Sequence, residues 1–300
     1  MKAICYTFAF FVLVVIGYNV FLWSITFDNT TLENNSNGQV EIIGHSGIGF
    51  HSWFPFKYFP SNSYGSLFKA LNECKVDGIE VDIHLTLDQK FVLFHDSKLE
   101  SKSVESGCPG EMTLEELRAV DYKLGAPFDW FHSERIIGLE EFIDSLQNRE
   151  KFPSLHLDVR NWNDCDTPEQ SAVLERNIAF ELIKTLGSKG VPLDKILIIS
   201  LSQSFLDQLK AHNNPYPVSF EIVGKEYEFL QWAIDYGVES VTVKPKLLTK
   251  ELSKVAHEAG LKVITFGAKS KTGNKKLLEL NPDAIQTDNI QALKDLMGYE

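Results

Sequence analysis

Clustered positive charge is what this sequence lacks most. Its 29 Lys and Arg residues are outnumbered by 41 Asp and Glu, giving a formal charge of -12. The basic residues are scattered along the chain, so no basic face forms for a phosphate backbone, which argues against nucleic acid as a partner. Cysteine is also scarce, at four residues. Cys5 lies in an apolar N-terminal run, and Cys74, Cys108 and Cys165 are an odd set that cannot all pair. Cys74 shares an apolar helical side with Leu67, Ala70 and Leu71, as a core thiol does. Cys108 and Cys165 fall in loops, and an oxidising compartment leaves a bridge between them open. No glycine-rich turn follows the first strand candidate, which removes the dinucleotide-binding doubly wound fold. Apolar residues are plentiful: 44% hydrophobic and 12% aromatic content is ample for one large core.

From Ala3 to Phe27 the chain carries no charge and is long enough to cross a bilayer core, which needs about 20 apolar residues. No small-x-small cleavage site is clear around Trp23-Ser24-Ile25-Thr26, so an uncleaved anchor is favoured over a signal peptide removed on secretion. Lys2 precedes the run and Asp28 and Glu33 follow it, which places the remainder on the non-cytosolic side of a single-pass membrane protein. Asn29-Thr30-Thr31 and Asn34-Asn35-Ser36 are glycosylation sequons. The expected division is an anchor over 1–27, a polar linker over 28–39, and one domain over 40–300.

Within that domain, short apolar runs alternate with longer helical patterns. Strands are expected at Val40–Gly44, Gly78–Leu85, Ser154–Val159, Ile196–Ser200, Val218–Ile222, Ser240–Val243, Lys262–Phe266 and Asp283–Gln286. Helices are expected at Ser63–Glu73, Pro168–Leu186, Ser202–His212, Glu226–Tyr236 and Thr249–Ala259, with a capping box at Thr113-Leu114-Glu115-Glu116 and a further helix from Leu139 to Leu146. Eight βα units over about 260 residues fit a closed (β/α)8 TIM barrel after one N-terminal transmembrane helix. Chemistry in such barrels gathers at the C-terminal strand ends.

The densest chemical signal is Gly78 to Asp96. Glu80 and Asp82 project from one strand face while Ile79, Val81 and Ile83 form the other, so the acids point into the barrel and call for a cation or a salt bridge. If Asp88-Gln89 is a two-residue turn, position i faces 177 minus i, and His95 lies opposite Asp82. Upstream, His45 ends the first strand. On the third strand, His156, Asp158 and Arg160 share a face, and Asp158 supplies a third carboxylate. Three oxygen ligands suit Mg²⁺ or Ca²⁺ better than Zn²⁺. Arg160 has two possible uses: a grip on a phosphate oxygen, or an ion pair with Asp158. The run Ile48 to Phe59, with His51, Trp53, Phe54, Phe56, Tyr58 and Phe59, is either packing or a lip for a lipid or choline headgroup.

Taken together, Gly44-His45-Ser46-Gly47, Pro60-Ser61-Asn62-Ser63, Glu80-Val81-Asp82, Thr86-Leu87-Asp88 and His95-Asp96 resemble, in order, the blocks of the glycerophosphodiester phosphodiesterase family of PLC-like barrels. Met112 to Leu117, Glu134 to Glu141 and Ile285-Gln286-Thr287-Asp288 are similar to its later blocks. The resemblance implies a metal-dependent phosphoric diester hydrolase acting on glycerophosphodiesters such as glycerophosphocholine, or on lysophospholipids. It implies His45 and His95 as the acid/base pair, Glu80, Asp82 and Asp158 as ligands of one divalent cation, and Arg160 with position 46 as the phosphate contacts. A sphingomyelinase-D-like phospholipase and a catalytically weak phosphate-binding barrel are the alternatives. Three residues depart from the family pattern: Ser46 stands where Arg is usual, Asp158 where Glu is, and Arg160 where Lys is. The change at 46 removes a charged contact worth about 1.5–3 kcal/mol unless Arg160 compensates. Ile264-Thr265-Phe266-Gly267 also lacks the family's frequent Trp and Asn.

Overall fold

The computed structural model describes the backbone of residues 2–53, 56–162, 164–165 and 167–299, and their side chains apart from 2–10, 19, 23, 168 and 169. Eight parallel strands close a barrel: β1 (Glu41–His45), β2 (Gly78–Leu85), β4 (Ser154–Val159), β5 (Ile196–Ser200), β6 (Val218–Ile222), β7 (Ser240–Val243), β8 (Lys262–Phe266) and β9 (Ala284–Thr287), with β1 pairing both β9 and β2. A ninth strand, β3 (Phe91–Leu93), runs antiparallel to β2 outside the ring. Helices α2 (Tyr64–Asn72), α4 (Leu139–Gln147), α5 (Pro168–Ser188), α6 (Gln203–Ala211), α7 (Glu226–Tyr236), α8 (Lys250–Glu258), α9 (Lys271–Leu278) and α10 (Ile290–Met297) complete the βα units. The short α3 (Leu114–Arg118) starts at the expected capping box, Thr113 and Glu116 each bonding the other's backbone.

Strand alternation divides the core. Outward residues such as Ile79, Val81 and Ile83 pack with Leu67, Leu71 and Phe142 from the surrounding helices. Inward residues Ile43, Ile264 and Ala284, with Leu197, fill the barrel floor. That apolar plug leaves the polar inward positions nearer the C-terminal ends free to form a site.

The hairpin register differs from expectation by one residue. Ile83 pairs with Leu93 and His84 with Val92, so Asp82 faces Phe94, whose N–H donates to the Asp82 carbonyl at 3.1 Å, and not His95. Thr86 N–H bonds Lys90 O at 2.8 Å around a three-residue loop whose last member, Gln89, has φ 60°. A turn closed by one left-handed residue is the usual three-residue solution, and Gln gave no glycine-like warning of it. Since β3 ends at Leu93, His95 leaves the strand and reaches the mouth from the following loop.

Helix α1 covers Lys2–Ser24. Among the described residues no helix is long and apolar enough to cross a membrane. The side chains at 1–10, 19 and 23 of the expected anchor lie outside those described. Segment 28–39 is packed on the barrel. Asn29 Nδ2 donates to Met297 O, Asn34 Nδ2 to Gln39 O and Pro282 O, and Asn35 Nδ2 to Leu261 O, at 2.7–3.0 Å. Pro282 and Leu261 precede β9 and β8, so this segment covers the N-terminal face, opposite the mouth. Both sequon asparagines, Asn29 and Asn34, are engaged in these bonds. Cys108 and Cys165 form a disulfide across 57 positions, and Cys74 is free. Closing a loop of that length in the unfolded chain is worth about 4 kcal/mol.

Candidate active site

Register sets the carboxylates. His45 pairs with Glu80 across β1 and β2, and Asp82 pairs with Asp158 across β2 and β4. Neighbouring strands lie about 4.8 Å apart, so in-register inward side chains are brought together without any special device. Oxygens of Glu80, Asp82 and Asp158 accordingly lie within 4.8 Å of one another.

Three acids so close repel, and the surroundings decide which stays charged. Asp82 accepts from Asn62 Nδ2 at 2.7 Å, Ser46 Oγ at 2.9 Å and Arg160 Nε at 2.9 Å, with Arg160 Nη2 also on it. Burial opposes its charge, but Arg160, His95 and Asn62 hold it well below the usual carboxylate range. Burial and then Asp82 push Glu80 well up. Burial also raises Asp158, against the pull of Arg160. Two of three acids reluctant to ionise mark a site short of positive charge, and its donors are all oxygen; the set fits a hard divalent cation.

Arg160 is engaged as an ion pair: Nη2 is 3.0 Å from Asp158 Oδ2 and bonds Asp82, and the guanidinium lies 5.4 Å from the Trp162 ring centroid. Ser46 is fully buried, with φ 48°, its N–H on Glu80 at 2.8 Å and its hydroxyl on Asp82. It sits behind the acids. Gly47 follows at φ 100°, where any Cβ would run into Ser66, whose Oγ bonds Ser46 O at 3.1 Å. This turn also carries the chain into the aromatic segment. Lys57 Nζ anchors that segment by donating to Ile48 O at 3.0 Å and to Asp288 O.

Both histidines have a carboxylate behind them. His45 Nδ1 is 2.9 Å from Asp288 Oδ1, and His95 Nδ1 is 2.7 Å from Asp96 Oδ1. In each case this leaves Nε2 for chemistry. Burial alone would lower the His45 pKa, but Asp288, Glu80 and Asp82 together raise it to about 9. The bond from His95 is the main reason Asp96 falls to about 2. Phe50 stands between the imidazoles, edge-on to both at ring distances of 5.2 and 5.4 Å.

His45, His95, Asp158 and Arg160 line one cavity of about 230 Å³ with Phe50, Glu221, Thr242, Lys244, Phe266 and Gln286. Larger clefts of about 490 and 580 Å³ lie along segment 28–39 and α8, away from these groups. His156 sits deeper, its Nδ1 3.1 Å from Gln286 Nε2, and burial lowers its pKa to about 4, so it is neutral. Asn62, Asp288, Glu221 and Lys244 complete the site without having been expected in it. Asn62 and Asp288 stand inside the blocks at 60–63 and 285–288, whereas Glu221 and Lys244 are single polar residues at the ends of apolar strands. Burial and then Asp158 raise the Glu221 pKa to about 7. Beside the mouth, Trp53, Phe56 and Phe131 are exposed and join Phe128 in one aromatic cluster with rings 5.3–5.7 Å apart. Phe54 lies outside the described residues.

The sequence profile of the glycerophosphoryl diester phosphodiesterase family matches residues 56–292. The chain belongs to this family. It is therefore by class a phosphoric diester hydrolase, a glycerophosphodiester phosphodiesterase. The match begins downstream of β1, so His45 and Ser46 lie outside it. The chain is 23% identical over 259 residues to a glycerophosphodiester phosphodiesterase of Caldanaerobacter subterraneus subsp. tengcongensis, covering 85% of this chain and 97% of that one. An Oleispira antarctica phosphodiesterase, solved with the product sn-glycerol-3-phosphate, superposes with a TM-score of 0.70 at 19% identity, over 89% of this chain and 100% of that one. The structure of a putative glycerophosphoryl diester phosphodiesterase from Silicibacter pomeroyi gives 0.74 at 19% identity, over 87% of this chain and 95% of that one.

Proposed function

We propose that this chain hydrolyses glycerophosphodiesters, using His45 and His95 as a proton-transferring pair beside a divalent cation, Mg²⁺ or Ca²⁺, held by Glu80, Asp82 and Asp158. The observation that carries this is two carboxylate-backed imidazoles lining one small cavity together with Asp158, itself a member of the three-carboxylate oxygen set. A bound cation supplies charge neutralisation at the non-bridging oxygens of the phosphodiester. The residues do the rest. Asp288 and Asp96 hold each ring by Nδ1, so one Nε2 takes the proton of the neighbouring glycerol hydroxyl as it attacks phosphorus, the other gives one to the departing alkoxide, and water then opens the cyclic phosphate to sn-glycerol 3-phosphate. Asn62 and Ser46 fix Asp82, and Asp82 with Asp158 orients Arg160.

A cavity of about 230 Å³ suits a small headgroup diester. The Ala3–Phe27 run as a single-pass anchor, with the barrel on the non-cytosolic side, belongs to the same proposal. Segment 28–39 is packed on the N-terminal face, so a barrel anchored through it would turn its mouth from its own bilayer. That favours a soluble diester such as glycerophosphocholine over a lysophospholipid still in that membrane. The test is the full chain incubated with glycerophosphocholine, lysophosphatidylcholine and sphingomyelin, each with Mg²⁺, Ca²⁺ or chelator. Cation-dependent release of sn-glycerol 3-phosphate and choline is expected. Turnover of sphingomyelin alone would move the chain to the sphingomyelinase-D-like class, and no turnover of any would leave a phosphate-binding barrel.

A further inference from the structure

An anion entering this cavity meets Asp158 and Glu221 on its wall, with Glu80 and Asp82 buried close behind Asp158, so the fixed cations facing it decide how well it is held. Position 46 contributes none, being a neutral residue sealed behind the acids with its hydroxyl and N–H already donated. Arg160 is committed to Asp82 and Asp158.

Lys244 differs from both. It directly follows β7, and strand alternation puts it on the same inward face as Thr242, with which it lines the cavity, while Val243 is buried in the outer core. Its backbone is held on both sides. The Lys244 N–H donates to Ile222 O at 3.0 Å, and Pro245 restricts the preceding residue to extended conformations. The ammonium group, in contrast, has no ion pair or side-chain hydrogen bond among the described residues. Glu221 on the adjoining strand lines the same cavity. A long cationic side chain on a fixed base, exposed and uncommitted, is the arrangement a mobile phosphate requires.

We propose that Lys244 is the phosphate-holding cation of this chain, supplying from β7 the contact that position 46 cannot make. The proposal rests on phosphodiester hydrolysis in the same cavity. It makes affinity for the phosphate group depend on a strand on the far side of the barrel from the turn after β1.

The test uses the full chain with saturating Mg²⁺ or Ca²⁺ and two readouts, calorimetric binding of sn-glycerol 3-phosphate and turnover of glycerophosphocholine. Lys244→Ala is expected to weaken binding about tenfold or more, as loss of a charged hydrogen bond does, and to raise KM more than it lowers kcat. Lys244→Arg should stay within about threefold of the unaltered chain on both readouts. Lys246→Ala, on an exposed neighbour that lines a different cleft, should change neither. An unchanged unfolding midpoint for Lys244→Ala shows that the fold is kept. Binding by Lys244→Ala within about twofold of the unaltered chain, or an equal loss in Lys246→Ala, overturns the assignment and leaves the phosphodiesterase proposal standing. An unaltered chain that neither binds the phosphate nor turns over the diester overturns both.

Discussion

Replacing Ser46 with alanine removes the hydroxyl that donates to Asp82 at 2.9 Å and leaves the backbone N–H on Glu80 at 2.8 Å in place. Asn62 and Arg160 still hold Asp82, so its charge survives and the loss is one hydrogen bond to a buried ion, about 1.5–3 kcal/mol. Serine here is 0% exposed, which denies water the vacated position. Alanine also gains nothing from the backbone, because φ is 48°. Glycine loses the same hydroxyl but accepts positive φ freely, so Ser46→Gly should be more stable than Ser46→Ala by about 0.5–1 kcal/mol. In a domain of this size about 1 kcal/mol shifts Tm by about 2–4 °C, so Ser46→Ala should lower Tm by about 3–12 °C and Ser46→Gly by less. Thermal unfolding at pH 7 in chelator reads this without a bound cation adding to it. A Ser46→Ala midpoint within about 1 °C of the unaltered chain would show that the hydroxyl does not support Asp82, and a glycine variant less stable than the alanine one would show that positive φ carries no strain there.

The His45–Asp288 pair sets a pH window. His45, raised to about 9, contributes stability fully present below its ordinary 6.5 and lost as pH climbs through 9; Asp288, lowered from 3.8, contributes stability that is lost as pH falls through its depressed value. Asp288→Asn should therefore destabilise most between roughly pH 4 and 6.5 and least above 9, and NMR titration should show the His45 midpoint drop. Mg²⁺ or Ca²⁺ at about 100 times its Kd should add about 2.7 kcal/mol to unfolding, a gain that Glu80→Gln abolishes; an equal gain in both would remove Glu80 from the ligand set. Cys165→Ser should cost about 4 kcal/mol of stability in denaturant unfolding, and added reductant should then have no further effect; an undiminished chain would contradict a closed Cys108–Cys165 loop.

Much of the barrel was legible because each strand is a short apolar run between turn signals. Gly78–Leu85, Ser154–Val159 and Ser240–Val243 end where expected. Helix α9 was less legible: Lys271–Leu278 is polar until Leu277, so burial of Asn274, not periodicity, fixes its inner face. The hairpin slipped by one because register depends on Gln89 adopting a left-handed conformation, which its residue type does not advertise. Six groups of the site, His45, Glu80, Asp82, His95, Asp158 and Arg160, stood out because they recur at alternate positions or at a strand end. Glu221 and Lys244 did not, since a single polar residue at a strand end carries no pattern until closure brings β6 and β7 round to β2 and β4. Ser46 was expected among the phosphate contacts, weaker there than the family's Arg; its burial behind the acids and its hydroxyl on Asp82 make it part of their support.

Proton transfer by His45 and His95 is the step on which the proposed hydrolysis depends. The direct measurement is release of sn-glycerol 3-phosphate from glycerophosphocholine by His45→Ala and His95→Ala at saturating Mg²⁺ or Ca²⁺, with cation affinity measured on the same samples. Each substitution should lower kcat by about 10²–10⁴-fold while cation affinity holds. Turnover at the rate of the unaltered chain in either variant would rule that histidine out of proton transfer.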